Sequence, residues 1–163
     1  MNGEWVLLGY RLPRDPSGPR VALWRRLKRL GVVQISDGLV ALPADARTRE
    51  QLEWAADEVL EHGGTSSVWL ARPTTSAHEH ELAAAMAADR AAEYVELETA
   101  AARAFDAEPA EQRRVLARLR GLQRDVARRD FFPTPQRDAA RAAIRELEER
   151  VRARGGAVAR SAP

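Results

Sequence analysis

The sequence predicts an α+β fold: a βαββαβ body over residues 1–73, followed by three long α-helices packed as a hairpin or bundle. Two observations carry that expectation. Four short β-rich apolar runs alternate with two amphipathic stretches before Pro73. After Pro73 the composition turns to Ala, Arg and Glu, with narrow apolar stripes at helical spacing and no strand signal. With 163 residues, 45% of them hydrophobic and 31% charged, the chain suits one domain with an appendage and is too apolar to be disordered.

The first run is Glu4–Tyr10, closed by the Pro- and Gly-containing loop RLPRDPSGP. From Pro19, Leu23, Leu27 and Leu30 follow a helical stripe, and Gly31 is placed to stop it. VVQIS (32–36) and LVALP (39–43) flank Asp37-Gly38, the signature of a type I′ hairpin with positive φ at both turn positions. A second helix carries Leu52, Ala55, Ala56, Val59 and Leu60 inward. Thr48 with Gln51, or Asp45, is its cap, and Gly63-Gly64 end it. SSVWLA (66–71) is the fourth strand. The order β-α-β-β-α-β marks a ferredoxin-like split βαβ unit. The strands are apolar on both faces, so the second face needs a cover, either the rest of the chain or a second copy.

Beyond Pro73, residues 74–154 read as a helical extension and 155–163 as a flexible tail. His78 to Phe105 contains neither Pro nor Gly, with Tyr94, Leu97, Ala101 and Phe105 as its stripe. The next helix starts at Pro109, with Val115, Leu119, Leu122 and Val126 as its seam. The last starts near Gln136, with Ala140, Ile144, Leu147 and Val151.

Charge is the most informative functional signal. The net charge is +2, and Lys28 is the sole lysine among 26 basic residues. Arginine presents a planar fork of donors matched to phosphates and other oxyanions. No acid occurs between Asp15 and Asp37, while Arg20, Arg25, Arg26, Lys28 and Arg29 all do. Turning the leucines inward points Arg25, Arg26 and Arg29 at solvent, a candidate nucleic-acid surface. Arg113, Arg120 and Arg124 form a secondary basic stripe, for which glutamates on neighbouring helices are available as partners.

Other chemistry is poorly supported. There are no cysteines, which removes disulfides and thiol catalysis, and no Gly-rich phosphate loop, GxSxG or HExxH. His78 and His80 diverge on a helix, so no metal is expected there. His62 sits where an imidazole caps helix carbonyls. Of the four tryptophans, Trp5, Trp24 and Trp69 lie in apolar runs and are expected in the core, with Trp54 half exposed. No enzyme activity and no cofactor are expected. Without a signal segment or a membrane-length apolar run, the expected location is the cytoplasm, with no membrane partner.

The run EWVLLGYRLP, the segment PRVALWRRLKRLGVVQISDGLVALP, the strand SSVWLARP and the later RDFFPTPQRDAARAAIREL together resemble the amino-terminal domain and helical extension of the ChrB family, bacterial chromate-resistance regulators. The resemblance covers residues 4–152. It implies a transcriptional regulator of a chromate-efflux operon. Family members carry chromate sensing largely in a further carboxy-terminal domain, which this chain is expected to lack. The amino-terminal half is also similar to PaaX-type repressors and to nucleases whose first strand ends in a metal-binding acid. Here that end reads Gly9-Tyr10-Arg11, so nuclease activity is not expected. The expected partners are DNA and a second copy of the chain. A weaker expectation is an oxyanion, chromate or sulfate, near Ser36-Asp37-Gly38. The alternative function is a protein-interaction module that docks a partner through the heptad-like helices without binding DNA.

Overall fold

The computed structural model describes residues 3–160, with side chains through residue 155. The chain divides into two compact units, Met1–Met86 and Ala87–Pro163. The first contains β1 (Trp5–Arg11), α1 (Gly18–Leu30), β2 (Val33–Ser36), β3 (Leu39–Pro43), α2 (Ala46–Glu61) and β4 (Thr65–Ala71), in the predicted order. All pairings are antiparallel and the sheet order is β2-β3-β1-β4, which leaves β2 and β4 at the edges.

Alternation along the strands sorts the side chains to two faces. Val6 and Leu8 lie opposite Leu42 and Val40, and all four are fully buried, as are Leu27, Leu52 and Val59 from the two helices. Ser66 Oγ donates to the Ala56 carbonyl at 3.0 Å, which places α2 on this face. Burying each such leucine or valine contributes about 2 kcal/mol, so the face dominates the stability of the unit.

Trp5, Leu7, Ala41 and Trp69 point the other way. The first turns of α3 (Ser76–Ala104) reach this side: Leu82 and His78 line a cavity of ≈280 Å³ with Trp5, Leu7, Ile35 and Ala41. The chain thus covers part of its own second face, and the first unit extends past the compositional boundary at Pro73 to Met86. Glu79 is buried and accepts a hydrogen bond from the Gly3 amide at 2.8 Å, tying the amino-terminal segment to α3. Trp69 departs from the expectation of a core tryptophan, being 62% exposed. It sits on an edge strand, with a cross-strand neighbour, Leu7, on one side only.

Two local expectations need correction, and the choice between the two caps of α2 is decided. Gly38 has φ +72°, but no residue other than glycine has positive φ among the described residues, so Asp37-Gly38 is not a type I′ turn. The ladder instead shifts register between Gln34 and Ser36, an irregularity that lets the chain turn without forcing Asp37 into the left-handed region. Gly38 is still required: its carbonyl accepts from the Tyr10 amide at 2.8 Å, and a Cβ there would stand 2.5 Å from the Tyr10 carbonyl oxygen. The cap of α2 is Asp45, which exchanges hydrogen bonds with Thr48, so Thr48 occupies the third helical position. Leu60 is exposed rather than part of the α2 stripe.

In the second unit, α3 continues to Ala104, followed by α4 (Pro109–Ala127) and α5 (Pro135–Arg160). One buried cluster takes Tyr94, Leu97, Ala101 and Ala104 from α3, Leu116, Leu119 and Val126 from α4, and Ala140, Ile144 and Leu147 from α5. The α4 seam is rotated from the predicted one. Leu116 is buried, Val115 only partly so, and Leu122 is exposed, because Gln112 opens the buried stripe one turn ahead of Leu116. Gln112 Nε2 donates to the Phe105 carbonyl and its Oε1 accepts from Arg154, which accounts for an amide at a core position. α5 stays helical past Gly155 to Arg160, and the rest of the expected tail, 161–163, lies outside the described residues.

Polar ties join α3 to the end of α4. Glu93 takes Arg129 in a two-pronged contact at 3.0 and 2.7 Å and also pairs with buried Arg90 at 2.8 Å. Tyr94, almost fully buried, donates to Asp130 at 3.0 Å. Burial first, and the Asp130 hydrogen bond second, push the Tyr94 phenol up to about 12. Because the unfolded chain releases this proton near pH 10, the folded state holds more protons between pH ~10 and ~12. Stability must therefore fall as pH rises through that window. In urea denaturation series from pH 8 to 11.5, the Tyr94→Phe variant is expected to show a shallower alkaline decline. At pH 8 it should lose about 1–3 kcal/mol, since the Asp130 oxygen that accepts from Tyr94 is left without its donor.

Candidate nucleic-acid interface

The local sequence explains how α1 presents its charge. Pro19 sits in its first turn, and Gly31 at φ +80° closes it in the left-handed region with its amide on the Leu27 and Lys28 carbonyls. Leu23 and Leu27 are buried. Arg25, Lys28 and Arg29, spaced i, i+3 and i+4, then share an exposed face, while Arg20, also exposed, lies one turn before Leu23 in line with the buried leucines rather than on that face. Lys28 and Arg29 lie in the last turn, where the helix dipole favours cations.

The five predicted residues do not behave alike. Arg26 is held by Glu58 of α2 at 2.5 Å, both side chains being partly buried, so it fastens α1 to α2 rather than facing solvent. Lys28 lies 5.1 Å from the ring centre of Trp24 on its own helix, a cation–π contact that leaves the ammonium exposed. Arg20, Arg25 and Arg29 are exposed and make no ion pair among the described residues. The geometry therefore sorts a block of five cations into one clamp, one stacked lysine and three free guanidinium groups.

The secondary stripe also splits. Arg120 pairs with Glu148 of α5 at 2.6 Å, as the supply of nearby glutamates suggested. Arg124 has no ion pair, and with Arg120 it lines a cavity of ≈380 Å³ between α4 and α5. Arg113 is exposed and stands apart from that cavity. Arg141 and Arg145 of α5, not singled out from the sequence, line the same cavity. Their i, i+4 spacing, matching that of Arg120 and Arg124, was the signal available for them.

The remaining sequence candidates have structural roles or none. His62 Nδ1 lies 2.8 Å from the Glu58 carbonyl. A carbonyl only accepts, so Nδ1 carries the proton and caps the end of α2. His78 and His80 lie on α3, where residues two apart diverge. Beside Ser36-Asp37-Gly38, burial and, secondarily, the Asp37 charge raise the Tyr10 phenol above its usual value. Asp37 is itself a carboxylate that opposes an anion at that hairpin. Trp54 and Trp69 are the two exposed tryptophans, at 56% and 62%. No described helix is long and apolar enough to cross a membrane.

These features define a two-unit α+β protein whose arginines are divided between internal ion pairs and open helix faces. The sequence model of the family "Protein ChrB, N-terminal" matches residues 20–161, and the chain belongs to that family, which links it to chromate resistance. No curated protein and no solved structure matches it.

The division of labour within α1 has a direct consequence for stability. Arg26→Gln is expected to cost ~1 kcal/mol by urea denaturation, as a partly buried pair is lost. Arg25→Gln and Arg29→Gln should each stay within ~0.5 kcal/mol of the unaltered protein.

Proposed function

We propose that this chain is a non-enzymatic regulatory protein of chromate resistance, cytoplasmic, that holds nucleic-acid phosphate on the exposed arginines of α1. The observation that carries the reading is the set of exposed guanidinium groups of Arg20, Arg25 and Arg29 without carboxylate partners, on a helix that contains no acid. Such a surface attracts a polyanion at long range, and each phosphate it neutralises releases counterions. The family membership supports the link to chromate resistance, and the sheet order β2-β3-β1-β4 supports a ferredoxin-like assignment for the first unit. The rival reading, docking through the heptad seams, has less support, because those seams pack on one another in a single buried cluster.

Three phosphate contacts on duplex DNA would give a log–log salt dependence with a slope of about −2.7. In fluorescence anisotropy at ~150 mM salt, against a duplex from upstream of a chromate-resistance operon and a random duplex, Arg25→Gln/Arg29→Gln should weaken both complexes alike. The same variant should flatten the slope by about 1.8. Unchanged binding by this variant, or no binding by the unaltered chain, defeats the assignment.

The protein would act as a dimer joined at β4. That strand is an edge, carries no charged residue over Thr65–Ala71, and leaves Trp69 and Leu70 exposed, features that proteins normally blunt on a free edge. Light scattering should then give twice the 18.1 kDa chain mass, reverting to one chain in Trp69→Glu. A single-chain mass for the unaltered protein would contradict the dimer.

A further inference from the structure

The cavity between α4 and α5 concentrates like charge in a way the internal ion pairs do not neutralise. Arg120, Arg124, Arg141 and Arg145 line it, against the single carboxylate of Glu148. That carboxylate is shared, since Glu148 Oε1 also pairs with Arg152 at 2.5 Å. Arg141 has its nearest acid, Asp138, only at 3.9 Å. Arg124 and Arg145 have no ion pair among the described residues. Ile144, almost fully buried, also lines it, so part of the concavity is apolar.

Four cations converging on one concavity repel one another, and that repulsion is relieved by an anion carrying several charges. Guanidinium forks bind phosphate oxygens two at a time, and gathering them around one concavity sums their fields there. Size narrows the choice. At ≈380 Å³ the cavity lies near the lower end of the range for small-molecule sites. A single tetrahedral dianion would leave it underfilled and still net positive, whereas a chain of two or three phosphates could touch both helices at once.

We propose that this cavity is a binding site for a diphosphate or triphosphate group, free or at the end of a nucleotide, with Arg124 and Arg145 as the principal ligands. Arg120 and Arg141 complete the cradle, and Glu148 orients Arg120. The site is separate from the α1 surface and does not depend on that surface binding DNA.

The test is calorimetry on the full chain with sodium triphosphate, sodium diphosphate, ATP and sodium sulfate, at a matched ionic strength of ~0.15 M. Triphosphate is expected to bind at least about tenfold more tightly than sulfate. Arg124→Gln/Arg145→Gln should lose about tenfold or more of that affinity while melting like the unaltered protein, because neither side chain holds an ion pair. The Arg25→Gln/Arg29→Gln variant should bind triphosphate normally, which separates this site from the α1 proposal. Equal affinity for inorganic triphosphate and ATP identifies the phosphate chain itself as the ligand, and tighter ATP binding identifies a nucleotide. The proposal is overturned if triphosphate binds no better than sulfate, or if the cavity variant binds it unchanged. It is likewise overturned if that variant loses duplex DNA binding in equal measure, which would make the cavity part of a nucleic-acid track.

Discussion

The pairing of Arg26 with Glu58 is the constraint on which the functional reading of this protein depends. It joins α1 to α2 and sets Arg26 apart from the remaining cations of α1. With Leu23 and Leu27 buried and Arg26 held, Arg25 and Arg29 stand exposed and make no ion pair among the described residues. The pair itself adds little stability, since both partners retain solvent contact. Its importance lies in that separation.

The same logic operates in the second unit on a larger scale. Glu93 gathers Arg90 and Arg129, and Glu148 gathers Arg120 and Arg152. Overall the chain has 26 basic and 24 acidic residues, close to balance. Local imbalance therefore arises from geometry rather than composition: arginines with no carboxylate within reach stay open. The α1 surface and the α4–α5 cavity are two places where open arginines cluster. A near-neutral protein can in this way carry two strongly cationic surfaces.

Much of the fold was legible in the residues. Gly31, Pro19 and Pro109 punctuate helices through backbone chemistry that needs no tertiary partner, and their positions followed directly. The apolar double face of the strands correctly demanded a second cover, and the first turns of α3 provide part of it. What stayed hidden depended on partners distant in sequence. Trp69 sits in an apolar run like that of Trp5, and strand order alone decides that one is at an edge and the other central. The α4 seam was misplaced by one residue because Val115 and Leu116 fit helical spacing equally well, and buried Gln112 is a polar residue that no apolar pattern includes. At the candidate site, the basic block of α1 could be read, but the separation of Arg26 from Arg25 and Arg29 could not, because Glu58 lies on another helix. Arg141 and Arg145 joined Arg120 and Arg124 only once two helices were laid side by side.

Family membership gives this charge pattern a biological setting in chromate resistance without specifying what the cations hold. The central claim is that α1 offers some of its arginines to phosphate and keeps another for itself. NMR of the arginine side-chain Nε–Hε groups during titration with duplex DNA examines that claim residue by residue. The account predicts shifts at Arg20, Arg25 and Arg29 with Arg26 unmoved. Equal movement of Arg26, or silence across the whole helix at saturating DNA, would contradict it.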